Sequence, residues 1–305
     1  MPLIIPNELP AAEALQNENI FTMEQARATT QDIRPLKIVI VNLMPTKIAT
    51  ETQLARVLAN SPLQVEMTLV QMDSHESTHI SQEHMDTFYK TLDEIKHEYF
   101  DGMILTGAPV EQMPYEQVDY WKELCEIFEF CKTHVYSNMF ICWGAQAALY
   151  YYYGIDKHLL EQKVFGVFEH RVTRAHNPLM RGFDSIFYAP HSRHTEIWKE
   201  DVLKHPELRI LAESPEVGPH IISTENGRQI FILGHQEYDK DTLAGEYFRD
   251  VKKGLDIQVP ANYFKNDDPK QEILFRWRAH ANLLFSNWLN YYVYQNTPFN
   301  IREIR

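Results

Sequence analysis

The sequence predicts an α/β fold: a parallel sheet with an antiparallel extension, flanked by helices. Three observations predict it. Strand-like and helix-like segments alternate through the first half of the chain. Those strands are continuous apolar runs, the pattern of strands covered on both faces. The second half carries shorter strands with turn signals such as Asn226-Gly227, the pattern of an antiparallel or mixed extension. At 305 residues the chain suits one large α/β domain or two modest ones. We read residues 1–36 as an N-terminal arm with a short helix, and 37–305 as a single domain ending in a helical extension.

The elements follow in order. "KIVIVNLMP" (37–45) is a strand ended by Asn-Leu-Met-Pro, and "ATETQLARVLAN" (49–60) has helical spacing with Thr50 or Thr52 as N-cap. "LQVEMTLVQM" (63–72) is the next strand, followed by a polar loop over "DSHESTHISQEH" (73–84) that leads into a helix. "HEYFDGMILTGAP" (97–109) gives a strand, "YEQVDYWKELCEIFEFCKTH" (115–134) a long helix and "VYSNMFIC" (135–142) a fourth strand. "KVFGVFEHRV", "SIFYAPHSRH", "LRILAES" and "HIISTENGRQIFILGHQEY" supply the extension. "EILFRWRAHANLLFSNWLNYYVYQ" (272–295) reads as an amphipathic helix rich in aromatics, a candidate interface.

Composition narrows the function. A formal charge of −13 argues against broad affinity for nucleic acid or anionic membrane. No apolar run approaches the ~20 residues of a membrane span. The N-terminus lacks a basic start and carries two early prolines, unlike a signal peptide. Three cysteines, Cys125, Cys131 and Cys142, are too few and too odd for a disulfide framework, which points to a reducing cytoplasm. Cys125 and Cys131 fall on the 115–134 helix and are expected in the core.

Ligands of such sheets collect at the carboxyl ends of the strands. Cys142 lies there, where the strand of "MFICWGAQAALYYYYG" becomes a helix. A helix N-terminus favours a thiolate, and the N–H of Trp143 is placed to bind an oxyanion. From this turn alone a nucleophile and an inert buried thiol fit equally well. "GHQEYD" adds His235 and Glu237, two apart at a strand end and so on one side. Alone they read as a surface pair; with Cys142 they suggest a Cys-His-Glu triad. His191 and His194 in "HSRH" lack companion ligands at metal spacing, and no H-E-x-x-H occurs, so packing is the expectation and no metal is.

"FICWGAQ" and the later "HQE" resemble the class I glutamine amidotransferases, with Phe140 and Ala108 where that family usually has glycine. A longer resemblance runs through "NLMPTKIATETQLARVLANSPLQVEM", "ILTGAPVE", "CWGAQAALYYYYGI", "APHSRHTE", "GHQEYD", "NYFKNDDP" and "WRAHANLLFSNWLNYYVYQNTPF". These are similar to the homoserine O-acyltransferases of methionine biosynthesis, the homoserine O-succinyltransferase/O-acetyltransferase family. The resemblance implies a flavodoxin-like, amidotransferase-like sheet, Cys142 as acyl-thioester nucleophile, His235 as base and Glu237 as its partner. It implies substrate contacts at Lys163, Ser192 and Arg249, acyl-donor discrimination at Glu111, and often a homodimer. Glu246, three residues before Arg249, is placed to meet the substrate ammonium or to pair with Arg249. The backbone N–H groups of Trp143 and Ala108 are the expected oxyanion donors.

The reaction expected is ping-pong acetyl transfer from acetyl-CoA to L-homoserine, with no cofactor. A glutamate at position 111 repels the carboxylate of a succinyl chain and tolerates acetyl. The alternatives are succinyl-CoA as donor, a glutamine amidotransferase or cysteine hydrolase, and a non-catalytic binding protein with an unreactive Cys142.

Overall fold

The computed structural model describes residues 3–6, 9–17, 22–24, 34–74 and 80–304. In the arm, strand β1 (Leu3–Ile5) precedes helix α1 (Ala11–Asn17) and strand β2 (Thr22–Glu24). The first-half alternation follows as β3 (Leu36–Val41), α2 (Lys47–Ala59), β4 (Val65–Val70), α3 (Gln82–Phe88), β5 (Tyr89–Lys90), α4 (Leu92–Ile95), β6 (Phe100–Leu105), α5 (Trp121–His134), β7 (Val135–Ile141) and α6 (Trp143–Tyr153). The extension holds β8 (His158–Val172), β9 (Ile186–Glu196), α7 (Lys199–Leu203), β10 (Leu208–Ser214), β11 (Gly218–Thr224) and β12 (Gln229–Ile232). Helix α8 (Thr242–Lys252) and helix α9 (Arg278–Asn287) complete the chain, α9 running on into a π-helical segment, Trp288–Tyr294.

One sheet joins the strands in the order β2-β1-β4-β3-β6-β7-β12-β11-β10-β8-β9, with β5 beside β4. Pairing is parallel from β2 through β12 and antiparallel from β12 through β9. The parallel core and antiparallel extension expected from the sequence are therefore present. The apolar strand runs have their explanation in two cores, one on each face. Ile38, Ile40, Met139 and Ile141 pack on one side, while Val39, Val41, Phe140 and Leu105 pack on the other. Alternation of side chains along each strand sends neighbours to opposite cores, so both parities must be apolar.

Several details differ from the sequence reading. The arm carries two short strands that extend the sheet edge, and Leu3, Ile5, Leu9 and Leu15 enter a core. Residues 75–79 of the loop read at 73–84 lie outside the described residues. The helix read from Tyr115 begins at Trp121, after a separate single turn at Tyr115–Gln117. Cys131 is buried, but Cys125 only half so. The C-terminal helix starts at Arg278, and its aromatics serve this chain's own core: Phe285, Trp288 and Tyr292 are buried, and Trp288 Nε1 donates to Ser137 Oγ at 2.9 Å. These three aromatics are thus used internally, while Tyr294 of the same segment stays exposed.

Candidate active site

Strand β7 ends at Ile141, α6 begins at Trp143, and Cys142 alone makes the corner. Its φ of 51° and ψ of −117° place it in a region L-residues rarely occupy. Hydrogen bonds hold it there: the Cys142 N–H donates to Ile232 O at 2.7 Å, and its carbonyl accepts from Ala145 and Gln146 at 3.0 and 3.1 Å. The helix must start hard against the end of β6. A Cβ on Gly144 would lie 2.6 Å from Thr106 O, so only glycine permits that approach. In the loop above, a Cβ on Gly107 would stand 3.3 Å from Cys142 Cβ, a tight contact, and 3.5 Å from His235 Cε1, an ordinary one. As the first residue of α6, Trp143 has an N–H with no intrahelical acceptor. Ala108, buried on the opposing loop, lines the same cleft as Cys142.

β12 lies parallel to β7, with Ile232 opposite Ile141, so the residues following each strand emerge side by side. Leu233 N–H donates to His220 O, and His235 N–H to Pro190 O, both at 2.8 Å. His235 Nδ1 meets Glu237 Oε1 at 2.7 Å, and the other side of the ring lies by Cys142, both flanking Gly107. Tyr238 stacks on the imidazole at 4.0 Å between centroids. All three triad side chains are buried. Burial opposes a charge on His235, but the Cys142 sulfur and the Glu237 carboxylate outweigh it and hold the ring well above its usual value. The fold thus brings Cys142, His235 and Glu237 together.

Cys142, His235 and Tyr238 line a cleft of about 700 Å³. Lys163, Ser192, Glu246 and Arg249 line it too. Glu246 accepts from Ser192 Oγ at 2.6 Å and from Lys163 Nζ at 3.3 Å, with Tyr238 Oη 3.3 Å from its other oxygen. Arg249 does not pair with Glu246; it makes a two-point contact with Asp250 at 2.7 and 2.9 Å and keeps half of its side chain exposed. Glu111 is half-buried and turned inward, with Oε2 3.3 Å from the hydroxyl of Thr195.

Sequence reasoning missed the layer beneath His235. His170, His191 and His220 are fully buried together, and burial keeps all three neutral by driving them far down, His170 to about 3. Arg193 Nε can only donate, so His191 Nδ1 accepts at 3.4 Å. His191 Nε2 then donates to His170 Nε2 at 3.0 Å, and His170 Nδ1 donates to Phe168 O at 3.0 Å. This order occupies the ring nitrogens of His191 and leaves it no free lone pair for a metal. His194, the other histidine of "HSRH", lines the cleft. The signal available was alternation along β9: His191, Arg193 and Thr195 face inward, Ser192 and His194 the cleft.

A strained strand-to-helix cysteine beside a histidine–carboxylate pair, on a parallel sheet, defines the class I glutamine amidotransferase-like fold. Solved structures agree at the level of fold. A glutamine amidotransferase from Thermotoga maritima superposes with a TM-score of 0.53 at 10% identity, covering 84% of this chain and 98% of that one. One from Methylobacillus flagellatus gives 0.52 at 10%, covering 85% and 95%. Within that fold the family is specific. The homoserine O-succinyltransferase family model matches residues 2–299, and the chain belongs to this family. Relatives named homoserine O-acetyltransferase include those of Clostridium novyi, 60% identical over 98% of this chain and 99% of that one, and Clostridium tetani, 60% identical over the full length of both. The Bacteroides fragilis relative of the same name is 56% identical over the full length of both.

Proposed function

We propose that this protein is a homoserine O-acetyltransferase, moving the acetyl group of acetyl-CoA to the γ-hydroxyl of L-homoserine and releasing O-acetyl-L-homoserine and CoA. The observation that carries this reading is the cleft itself. Its floor holds Cys142 and His235, with Glu237 behind the His235 ring, and its wall holds Lys163, Ser192, Glu246 and Arg249, a set with both charge signs for an α-amino acid. The names of the full-length relatives supply the two substrates.

The Cys142 thiolate attacks the thioester carbonyl, and the Trp143 and Ala108 N–H groups receive the developing oxyanion. The C–S bond to CoA breaks, and His235, charged while paired with the thiolate, protonates the departing sulfur. Homoserine then binds with its ammonium toward Glu246 and its carboxylate toward Arg249, Lys163 and Ser192. His235, now neutral, takes the γ-hydroxyl proton as that oxygen attacks the acyl-enzyme, and the Cys142–acyl bond breaks. Glu237 holds the ring through Nδ1 and balances its charge. No cofactor enters these steps.

Acetyl is favoured over succinyl by Glu111. An inward carboxylate repels a donor's terminal carboxylate. Succinyl-CoA remains the competing donor, because the matching family model is named for succinyl transfer. Among the described residues no helix is long and apolar enough to cross a membrane. Three free thiols suit a reducing cytoplasm, and we take the working form as a homodimer, which sedimentation checks.

The test is CoA release by purified protein given homoserine with acetyl-CoA or succinyl-CoA. Rapid release with acetyl-CoA, slow release with succinyl-CoA and loss on Cys142→Ala are expected. Undiminished turnover by the Cys142→Ala protein sinks the mechanism. Ammonia release from glutamine without CoA dependence favours an amidotransferase instead. Limiting iodoacetamide should label Cys142 first, since burial pushes the Cys125 and Cys131 thiols up.

A further inference from the structure

Glu111 sits on a surface loop, and a carboxylate there has water available on one side. Something must hold it inward. Among the described residues its side chain has one hydrogen-bond donor, the Thr195 hydroxyl at 3.3 Å. Thr195 is itself wholly buried, and its Oγ1 lies 2.8 Å from the side-chain amide of Gln146; a hydroxyl has one proton, so it serves Glu111 when that amide is turned to donate from Nε2. Gln146 belongs to the first turn of α6, where its N–H bonds the Cys142 carbonyl. Thr195 is fixed from below as well. The Arg193 guanidinium donates to Thr195 O and to Val217 O, each at 2.6 Å. That buried guanidinium has no carboxylate in contact among the described residues, and the Cys142, Glu196 and Glu111 charges all act on it. The loop, the buried strand and the nucleophile's helix thus meet at one hydroxyl.

We propose that Thr195 is a positioning residue for acyl-donor choice: its hydroxyl, seated against Gln146, holds the Glu111 carboxylate turned toward the cleft beside Cys142. The acyl chains admitted are short and uncharged, because the pocket ends in a fixed negative charge. Chains ending in a carboxylate are turned away by that charge only while it stays in place. This rests on the reading of Glu111 given above and adds the residue that makes Glu111 effective. A threonine replaced by valine keeps the shape and the Arg193 contact to the backbone and loses only the hydroxyl. Glu111 then has no donor on the inner side and turns to water.

The test compares kcat/KM for acetyl-CoA and succinyl-CoA in the wild type and in Thr195→Val, Thr195→Ser and Glu111→Gly proteins. The ratio is the readout, because a poorly folded preparation lowers both donors alike. Thr195→Val is expected to raise the succinyl-to-acetyl ratio about tenfold, the scale of one hydrogen bond to a charged group. Thr195→Ser, which keeps the hydroxyl, should hold the wild-type ratio. A Thr195→Val ratio within twofold of wild type, beside a Glu111→Gly ratio that rises, overturns the positioning role alone. A Glu111→Gly ratio that does not move overturns the role of Glu111, and this inference with it. If Thr195→Ser shifts the ratio as far as Thr195→Val does, packing and not the hydroxyl is responsible, and the inference also fails.

Discussion

Gly144→Ala tests how closely the position of the Cys142 sulfur depends on the contact between α6 and β6. The added methyl would stand 2.6 Å from Thr106 O, 3.1 Å from Leu105 O and 3.2 Å from Leu105 Cγ. Two of the three are backbone atoms at the end of β6, where Thr106 N–H is itself bonded to Val41 O, and cannot swing aside. Ordinary contact begins at 3.4 Å, so the first turn of α6 must retreat by about 0.8 Å, the difference between those distances. Overpacking of this kind costs about 1–3 kcal/mol of stability. The larger effect falls on chemistry, because Cys142 is the cap of the helix that moves. A displacement near 1 Å at a reacting atom costs on the order of 10²-fold in rate. The assay is single-turnover CoA release from acetyl-CoA, which reports acylation of Cys142 alone, run beside urea unfolding. A slow burst in a folded protein is expected. A variant that acylates at the wild-type rate refutes the claim that this contact places the sulfur.

Other substitutions probe separate parts of the molecule. Glu246→Gln removes the charge meant for the homoserine ammonium, so KM for homoserine should rise about tenfold or more while the acylation burst stays near wild type. An equal loss in both half-reactions would count against that assignment. Native His235 should remain protonated well above the usual histidine range, read from ring nitrogen shifts in a labelled sample. Because its native pKa is raised, the stability it contributes is fully present below the unfolded value and is lost as pH rises through the native one. Glu237→Gln should therefore cost most stability on the acid side of that rise and less above it; a penalty independent of pH contradicts the pairing. Arg34 makes a two-point contact with the fully buried Asp101 at 3.0 and 3.1 Å, leaving Lys37 N–H as the carboxylate's other donor. Arg34→Ala should destabilise the fold by about 2 kcal/mol in chemical denaturation, without altering KM.

What the sequence disclosed depended on how local each signal was. The parallel strands announced themselves because both faces are apolar, and the elbow because Cys142 stands between a strand run and a helix run. The His235–Glu237 pair was visible because residues two apart on a strand share a side. The short edge strands β1 and β2 were not visible, since three residues carry no measurable period. Nor was the histidine layer: His170, His191 and His220 come from three strands, and their meeting depends on antiparallel register across β8, β9, β10 and β11. Thr195 was hidden for the same reason, being one polar residue on an inward strand face whose partners lie on a loop and a helix elsewhere. The partner of Glu246 also escaped, because helical spacing suggested Arg249 while the fold supplied Lys163 and Ser192 from the extension.

The placement of β12 beside β7 carries a further consequence for how the protein comes to life. The strand bearing the nucleophile is made early in the chain; the strand bearing its base is made only after the β8–β11 extension. Cys142 N–H donates to Ile232 O at the end of β12, and His235 follows that strand, so His235 and Glu237 come beside Cys142 only once β12 lies against β7. Any help the His235 ring gives the Cys142 thiol therefore waits on that docking, so early labelling of the thiol during refolding reads whether the last central strand is in place.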